Sequence, residues 1–336
     1  MASLRNIADI SQVSIRTVSR VLKNSGPVSP ETRKCVLDTV NRLGYHPNRQ
    51  ARSLRQCKSY EIVVVSWAFE EIHMEKVRAM EEIIRSKDYS LSIIFDKMRT
   101  AEDLDHTMEE LRGRRPAAVA IFPRPPLDNK LWLERLSKEN IPAIFVNSVD
   151  PNVHSPRVDR ERGVYEAVMY LASKGRKRIA YIGPGQSGEI GHGAQARLSG
   201  YIRAVEMLGQ EAIVIDRQID GDGVDRQYDY EAGRVFMELS PRPDAVQMYS
   251  DHTAMAFMAC MHDHGVKIPH DVAVMGFDDR TAARYAYPSL STIRQPNTEI
   301  GQAVARLLLR KIDKQDTLPE EWSPLIAPKL VIREST

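Results

Sequence analysis

Cysteine is scarce in this chain: three among 336 residues, Cys35, Cys57 and Cys260, with no paired spacing. That excludes a disulfide framework and a Cys-x-x-Cys zinc site, and it suits a reducing compartment. Long apolar runs are missing as well. No stretch approaches the roughly 18 apolar residues of a membrane-spanning helix, and the polar start (Ser3, Arg5, Asn6) is no secretion leader. A cytoplasmic protein with no membrane partner is expected. Nor does either sign of charge dominate: 47 Lys+Arg face 45 Asp+Glu, a formal net charge of +2. The distribution is uneven, however. Residues 1–58 hold 11 Lys+Arg and 3 Asp+Glu, so the remainder is net acidic. Positive charge gathered at one end of a near-neutral chain is the footprint of a polyanion partner. Without a strongly amphipathic basic helix, nucleic acid fits better than a membrane.

The same basic segment carries clear helix punctuation. Ser3 precedes Leu4, Ile7 and Ala8; Ser14 precedes Val18, Val21 and Leu22; Ser29 precedes Pro30, then Val36, Leu37, Val40 and Leu43. Each serine can accept a first-turn N–H, and Pro30 sits where a missing N–H costs nothing. Val13 and Val18 have hydrophobic-staple spacing, and Gly44 is placed to end the third helix. The first two helices are joined by Ser11-Gln12-Val13, a helix-turn-helix length. In that motif the second helix enters the major groove with its N-terminal residues at the base edges. Its apolar stripe must face the other helices, which leaves Ile15, Arg16, Ser19 and Arg20 outside. An Arg pairs bidentately with guanine, and Ile15 can meet a thymine methyl. Ser14 and Thr17 suit phosphate contacts at the helix N-terminus. Two surface arginines alone are an ordinary solvated face; the capped three-helix frame is what makes them readers.

Several segments carry a family resemblance: IADISQVSIRTVSRVL, VSPETRKCVLDTVNRLGYHPN and ARSLR in the first part, then VDRERG, ASKGRKRIAYIG, ARLSGY, HGVKIPHDVAVMGFDD, YPSLSTIRQP and the ending KLVIREST. Taken jointly the chain resembles the lactose-repressor/purine-repressor (LacI/GalR) family of bacterial transcription regulators over nearly its whole length. The resemblance implies an all-α helix-turn-helix head at 1–46, a hinge helix and linker at 47–58, and a core at 59–336. The core would be an α/β periplasmic-binding-protein-like fold of two doubly wound parallel-sheet subdomains, about 60–157 with 293–324 and about 158–292 with 325–336. It also implies a homodimer on a near-palindromic DNA operator, controlled by a sugar-like small molecule in the cleft between subdomains, with no cofactor and no catalysis. The ending at Thr336 leaves no room for a C-terminal heptad helix, so a dimer is expected rather than a tetramer.

The hinge stretch Asn48–Arg55 is too short to hold a helix alone in water. Ala51 and Leu54 stand at i, i+3 among Arg49, Arg52 and Arg55. The resemblance implies that two such segments pair on DNA, with Leu54 wedged into the minor groove, Ala51 beside it and Arg55 flanking. From the octet alone, a plain linker with an incidental leucine is equally open.

From Tyr60 the pattern alternates. Strands are expected at Glu61–Ser66, Leu91–Phe95, Ala117–Phe122, Ala143–Asn147, Ile179–Ile182, Ile213–Ile215, Ala245–Met248 and Val272–Gly276. Helices fall between them, near 74–86, 103–111, 129–137, 163–173, 194–208, 228–239 and 251–264. Such alternation indicates parallel, doubly wound sheets, with ligands beyond the C-terminal strand ends. The family fold implies crossings between its two halves near 156–159, 291–296 and 324–328. By resemblance, Asp278 in Gly-Phe-Asp-Asp and Arg197 in ARLSGY match ligand-holding residues, and Asp159 matches a cleft position; capping or interdomain ion pairs are the plainer alternative. The chain departs from relatives in the loop SWAFEEIHME, where Ile72 and His73 stand in for aromatic rings that Trp67 or Phe69 could supply. Gly191 and Gly193 stand where one relative has polar contacts. Arg124 favours an anionic or carboxylate-bearing ligand.

Two patterns are decoys. Gly183-Pro184-Gly185-Gln186-Ser187-Gly188 spells G-x-G-x-x-G, yet no helix opens directly from it, and Asp216 lies 28 residues past Gly188 rather than about 20. His262, Asp263, His264 and His270 cluster in sequence, but adjacent helical residues do not face one metal, and positive charge at a helix C-terminus is the plainer account. The functional alternatives are a regulator that activates or lacks effector control, and a sugar-binding or enzymatic core with a passenger head. The second would need a catalytic constellation or secretion signal, and the sequence contains neither.

Overall fold

The computed structural model describes residues 3–22, 24–45, 59–97, 100–123, 129–148, 150, 153–183, 192–216, 226–313 and 323–336. The chain divides into two units, Met1–Lys58 and Ser59–Thr336. In the first, α1 (Leu4–Ile10), α2 (Ile15–Leu22) and α3 (Pro30–Arg42) bury Ile7, Ala8, Val18, Val21 and Val36 against one another. Ser3 caps α1 and Ser29 caps α3, each accepting a backbone N–H three residues on. Gly44 adopts φ +56° just past α3, and Tyr45 N–H reaches back to the Val40 carbonyl, so the last carbonyls are satisfied. The hinge residues Ala51, Leu54 and Arg55 lie outside the described residues.

The second unit has two lobes. The first holds β1 (Glu61–Ser66), α4 (Glu71–Ser86), β2 (Ser90–Phe95), α5 (Ala101–Arg114), β3 (Ala118–Ile121), α6 (Asn129–Lys138) and β4 (Ala143–Phe145). Its strands are parallel in the order β2-β1-β3-β4. Side chains alternate across β1: Ile62 and Val64 join the cluster of Met80 and Ile84 on α4, while Val63 and Val65 join Leu104, Met108 and Trp132 on α5 and α6. Both faces are covered, which explains a strand that reads as a continuous apolar run.

The chain crosses through β5 (Arg157–Val158) into the second lobe: α7 (Arg160–Ser173), β6 (Ile179–Gly183), α8 (His192–Met207), β7 (Ile213–Asp216), α9 (Arg226–Glu238), β8 (Ala245–Met248), α10 (Asp251–Asp263), β9 (Ala273–Met275) and α11 (Thr281–Tyr285). Its parallel sheet runs β7-β6-β8-β9. Then β10 (Thr292–Arg294) leads back to α12 (Asn297–Ile312) on the first lobe, and β11 (Leu325–Ile326) returns the chain to β12 (Lys329–Val331). β11 pairs parallel with β5, and β12 antiparallel with β10. The chain end is pinned to the second sheet by the Ser335 backbone and hydroxyl, both bonded to Val274.

The alternation expected from sequence is present; differences include α7 starting at Arg160 rather than 163 and the added short helix α11. β4 stops at Phe145, because Asn147 turns with φ +65° and its side-chain carbonyl accepts the Val158 N–H at 2.9 Å. α4 starts at Glu71 rather than 74, its first turn held by Thr281, whose N–H and hydroxyl donate to the Glu71 carboxylate. α12 was not anticipated, although Ile300, Val304, Ala305 and Leu308 form a regular buried stripe.

α12 lies unusually close to α4. A Cβ on Gly301 would stand 2.2 Å from the Lys76 carbonyl oxygen and 2.9 Å from Ala79 Cβ, so only glycine allows this approach. Gly301→Ala is expected to cost about 1–3 kcal/mol and lower the thermal midpoint by a few degrees. Gly113→Ala, with nothing within 4 Å of the new atom, should be neutral or slightly stabilising. Equal midpoints for the two variants would contradict this packing.

Candidate DNA-reading helix and ligand cleft

Helix α2 is fixed by Ser14, whose hydroxyl accepts the Thr17 N–H at 3.0 Å and lies 2.9 Å from the Thr17 hydroxyl. Val18 and Val21 face inward, and the opposite face carries Ile15, 46% exposed, and Arg16, also exposed. Ser19 and Arg20 are half-buried. The Arg20 stem lies against the turn after α2, with Cδ and Nε 3.7 Å from where a Cβ on Gly26 would be, and that turn covers it. The freely presented face is therefore narrower than the sequence reading gave: Ile15 and Arg16 at its centre, Ser14 and Thr17 at its N-terminal end, Ser19 and Arg20 at its margin.

In the second unit, Asp278 and Arg197 meet. Asp278 sits in the turn after β9 with φ +121°, followed by Asp279 at φ +58°, two consecutive non-glycine residues in a costly backbone region. The turn is held by its side chains. Asp279 is bridged by Arg294 and Arg333 at 2.5 and 2.6 Å. Asp278 accepts from Gln295 Nε2 at 2.5 Å and faces Arg197 Nη2 at 3.5 Å and Arg280 Nε at 3.4 Å. The Arg197 guanidinium lies 4.3 Å from the Tyr249 ring and 4.1 Å from the Phe277 ring, which fixes its plane. Its Nε has no hydrogen-bond partner among the described residues. Arg280 continues the network to Glu70 at the start of α4, so a path of ion pairs runs from Arg197 to the first lobe.

Trp67 and His73 form a wall on the first lobe. Their rings meet edge-on at 5.3 Å, and His73 tilts onto Phe122 at 4.7 Å. Burial, reinforced by the Lys76 charge, lowers His73 to about 4, so its imidazole is neutral. Asp159 stands at the start of α7. One of its oxygens accepts the Arg162 N–H at 3.1 Å and caps α7. The next residue, Arg160, is the one within electrostatic reach of Arg197, Tyr249 and Asp278. Arg124 and Gly191 lie outside the described residues.

Sequence reading missed Lys76, Arg160, Tyr249, Arg280, Gln295 and Asn297. Lys76 did carry a signal, because it stands in the buried stripe Lys76, Val77, Met80, Ile84 of α4. Only 1% exposed, it donates to the Ile72 carbonyl at 2.9 Å and to Asn297 Oδ1 at 2.5 Å. A charged groove of about 840 Å³ opens on the far side of Asp278, lined by Glu71, Arg280, Arg284, Arg294 and Asn297 among others. It contains none of Trp67, His73, Asp159 and Arg197, so it is distinct from the Arg197 side of the cleft. Of the decoys, Gly183 ends β6, residues 184–188 are outside the described residues, and His264 Nδ1 lies 2.8 Å from the Cys260 carbonyl at the end of α10. No helix among the described residues is long and apolar enough to cross a membrane.

Burial lowers Lys76 from 10.5 to about 7, with the Arg160 charge adding to it. In the unfolded chain the amine keeps its proton to its usual value, so between about 7 and 10.5 the unfolded state binds more protons and stability rises with pH. Lys76→Met removes that rise. Urea unfolding at several pH values from neutral upward should show the difference between the two proteins moving in favour of the wild type as pH rises. A pH-independent difference would mean that Lys76 titrates normally.

Two family models match: residues 3–48 match the bacterial regulatory proteins of the lacI family, and residues 168–336 match a periplasmic binding protein-like domain. The transcriptional repressor CytR of Escherichia coli (strain K12) is 30% identical over 349 residues, covering 100% of this chain and 96% of its own. Among solved structures, the lac repressor dimer bound to operator and the anti-inducer ONPF aligns with a TM-score of 0.82 at 24% identity, over 99% of this chain and 98% of its own. The complex of the transcriptional regulator CelR with cellobiose aligns at 0.71 and 24% identity over the whole of both chains. These two likenesses establish the fold. The capped helix-turn-helix head, the two doubly wound lobes and the full-length similarity to CytR together show that the chain belongs to the LacI family of bacterial transcriptional regulators.

Proposed function

We propose that this chain is a non-enzymatic, cytoplasmic repressor that binds a near-palindromic operator as a homodimer and responds to a sugar-like small molecule between its lobes. The observation that carries the reading is the network from Arg197 through Asp278 and Arg280 to Glu70. A polyol can use the same groups, donating hydroxyls to Asp278 and accepting from Arg197 Nε, which has no partner among the described residues. Ligand then competes for the carboxylate that ties the lobes together. The lobe change alters pairing of the two hinge segments, and DNA affinity changes by linkage.

Arg16 and Ile15 read base edges, Ser14 and Thr17 hold phosphate, and Ser19 and Arg20 support the margin. Leu54, with Ala51 and Arg55, takes the minor-groove role that its position after the head supports. A second copy is supported by two solvated aromatic rings at α11, Tyr285 at 76% and Tyr287 at 96% exposure, since such patches fit association surfaces. The solved lac repressor is a dimer on its operator, and CelR holds cellobiose; both accord with this reading.

Selection of bound fragments from sheared genomic DNA should recover a near-palindrome, whereas recovery of salt-sensitive, sequence-independent fragments alone would contradict a specific dimer. On the selected operator, Arg16→Ala is expected to cost about 1–3 kcal/mol and relax preference at one base pair of each half-site. Leu54→Ala should weaken operator binding far more than binding to random duplex. Equal losses on both duplexes would remove the wedge role.

A further inference from the structure

Among the described residues, the cleft holds more basic groups than its carboxylates pair. Lys76 on α4, Arg160 at the start of α7, Arg197 on α8 and Arg280 before α11 converge there from different elements. Arg280 is committed to Glu70 and Asp278. Asp278 is divided among Arg197, Arg280 and Gln295. The other nearby carboxylates among the described residues have hydrogen-bond partners of their own, although Glu75 also attracts Lys76. Glu75, exposed on α4, accepts the Asn297 amide at 2.5 Å; Asp159 caps α7; Asp279 is held by Arg294 and Arg333. Asp251 is 0% exposed, accepts the Arg280 N–H at 2.7 Å, and is raised to about 8 by burial and by Asp278, so it is largely protonated at neutral pH.

Among the described residues, three basic groups therefore lack full compensation, and Lys76, lowered to about 7, is only partly protonated at neutral pH. Lys76 touches only neutral acceptors. Arg160 has no ion pair with a described residue, and Arg197 Nε, on a side chain 6% exposed, has no partner among them. They share one electrostatic neighbourhood: Lys76 senses Arg160, and Arg160 senses Arg197. Buried positive groups without counter-charge are costly, and a ligand anion removes that cost.

We propose that the effector is an anionic polyol, a sugar-sized ligand whose carboxylate or phosphate is held among Lys76, Arg160 and Arg197 while its hydroxyls reach Asp278. The inference rests on the ligand role proposed for the cleft. It adds a charge requirement carried by Lys76 and Arg160.

The test uses the full chain, with calorimetry and thermal unfolding against D-gluconate, D-glucuronate, D-glucose 6-phosphate, neutral D-glucose and D-galactose, and low-millimolar inorganic phosphate or sulfate against chloride at equal ionic strength. A charged sugar should bind about tenfold or more tighter than its neutral parent. The carboxylate and phosphate arms identify which anion is preferred. Phosphate or sulfate should raise the thermal midpoint of the wild type, and both effects should be lost in Lys76→Met/Arg160→Gln. Arg160→Gln alone, at a half-buried position, serves if the double variant does not fold. Neutral sugars binding as tightly as charged ones, with loss in Asp278→Asn, would overturn the charge requirement and leave the cleft reading standing. No response of the wild type to any anion or sugar would overturn both. An anion response unchanged in the variants would also overturn the proposal.

Discussion

One buried carboxylate, Asp278, is shared by groups from three parts of the fold. Arg197 reaches it from α8, Arg280 from the turn into α11, and Gln295 from the end of β10. Through Arg280 it is joined to Glu70, and beside Gln295 stands Asn297, which holds Lys76. The Asp278 network thus reaches the first lobe through the Arg280–Glu70 pair, beside the contact of Thr281 with Glu71. Breaking a buried pair by deleting one partner costs roughly 3–5 kcal/mol, because the other charge is left bare. A ligand that takes Asp278 from Arg280 must therefore supply hydrogen-bond donors of its own. That requirement gives such a site both selectivity and leverage.

The turn that presents Asp278 is costly, and the cost has a structural reason. Asp278 and Asp279 both lie at positive φ, where glycine would be easier. Their carboxylates, directed to opposite sides, fasten the turn to Arg197 and Arg280 on one side and to Arg294 and Arg333 on the other. Behind it Gly276 leaves the space that the Asp251 carboxylate occupies, since a Cβ there would stand 2.3 Å from Asp251 Oδ1. Polar groups packed this way rigidify a site when satisfied. Two of the buried polar atoms without a hydrogen-bond partner among the described residues, Arg197 Nε and Gln295 Oε1, lie in this same network.

Much of the fold was legible in the sequence because periodicity and capping report on local physics. Ser3, Ser14 and Ser29 marked helix starts, and continuous apolar runs such as Ile62–Val65 marked strands buried on both faces. The site was legible only in part. Arg197 and Asp278 are expected together from the family resemblance, and the structure brings their side chains to 3.5 Å. Asp159 caps α7 with one oxygen, a common use of a residue just before a helix. Lys76 was overlooked because it reads as a polar residue on an amphipathic helix unless its place in the buried stripe is noticed. Arg280, Gln295 and Asn297 were overlooked because their partners, Glu70, Asp278 and Lys76, are set by crossings between lobes, and no local pattern records those. Helix α12 is absent from the sequence-based expectation although Ile300, Val304, Ala305 and Leu308 form a regular buried stripe.

The most direct test of Asp278 as the tie between lobes is amide hydrogen exchange on the full chain, wild type against Asp278→Asn. If one carboxylate couples both lobes, exchange should quicken at α11 and at the starts of α4 and α12 alike. If the change is confined to the turn around residues 278–281, with α4 and α12 protected as before, the lobes are held by other contacts and the account is wrong.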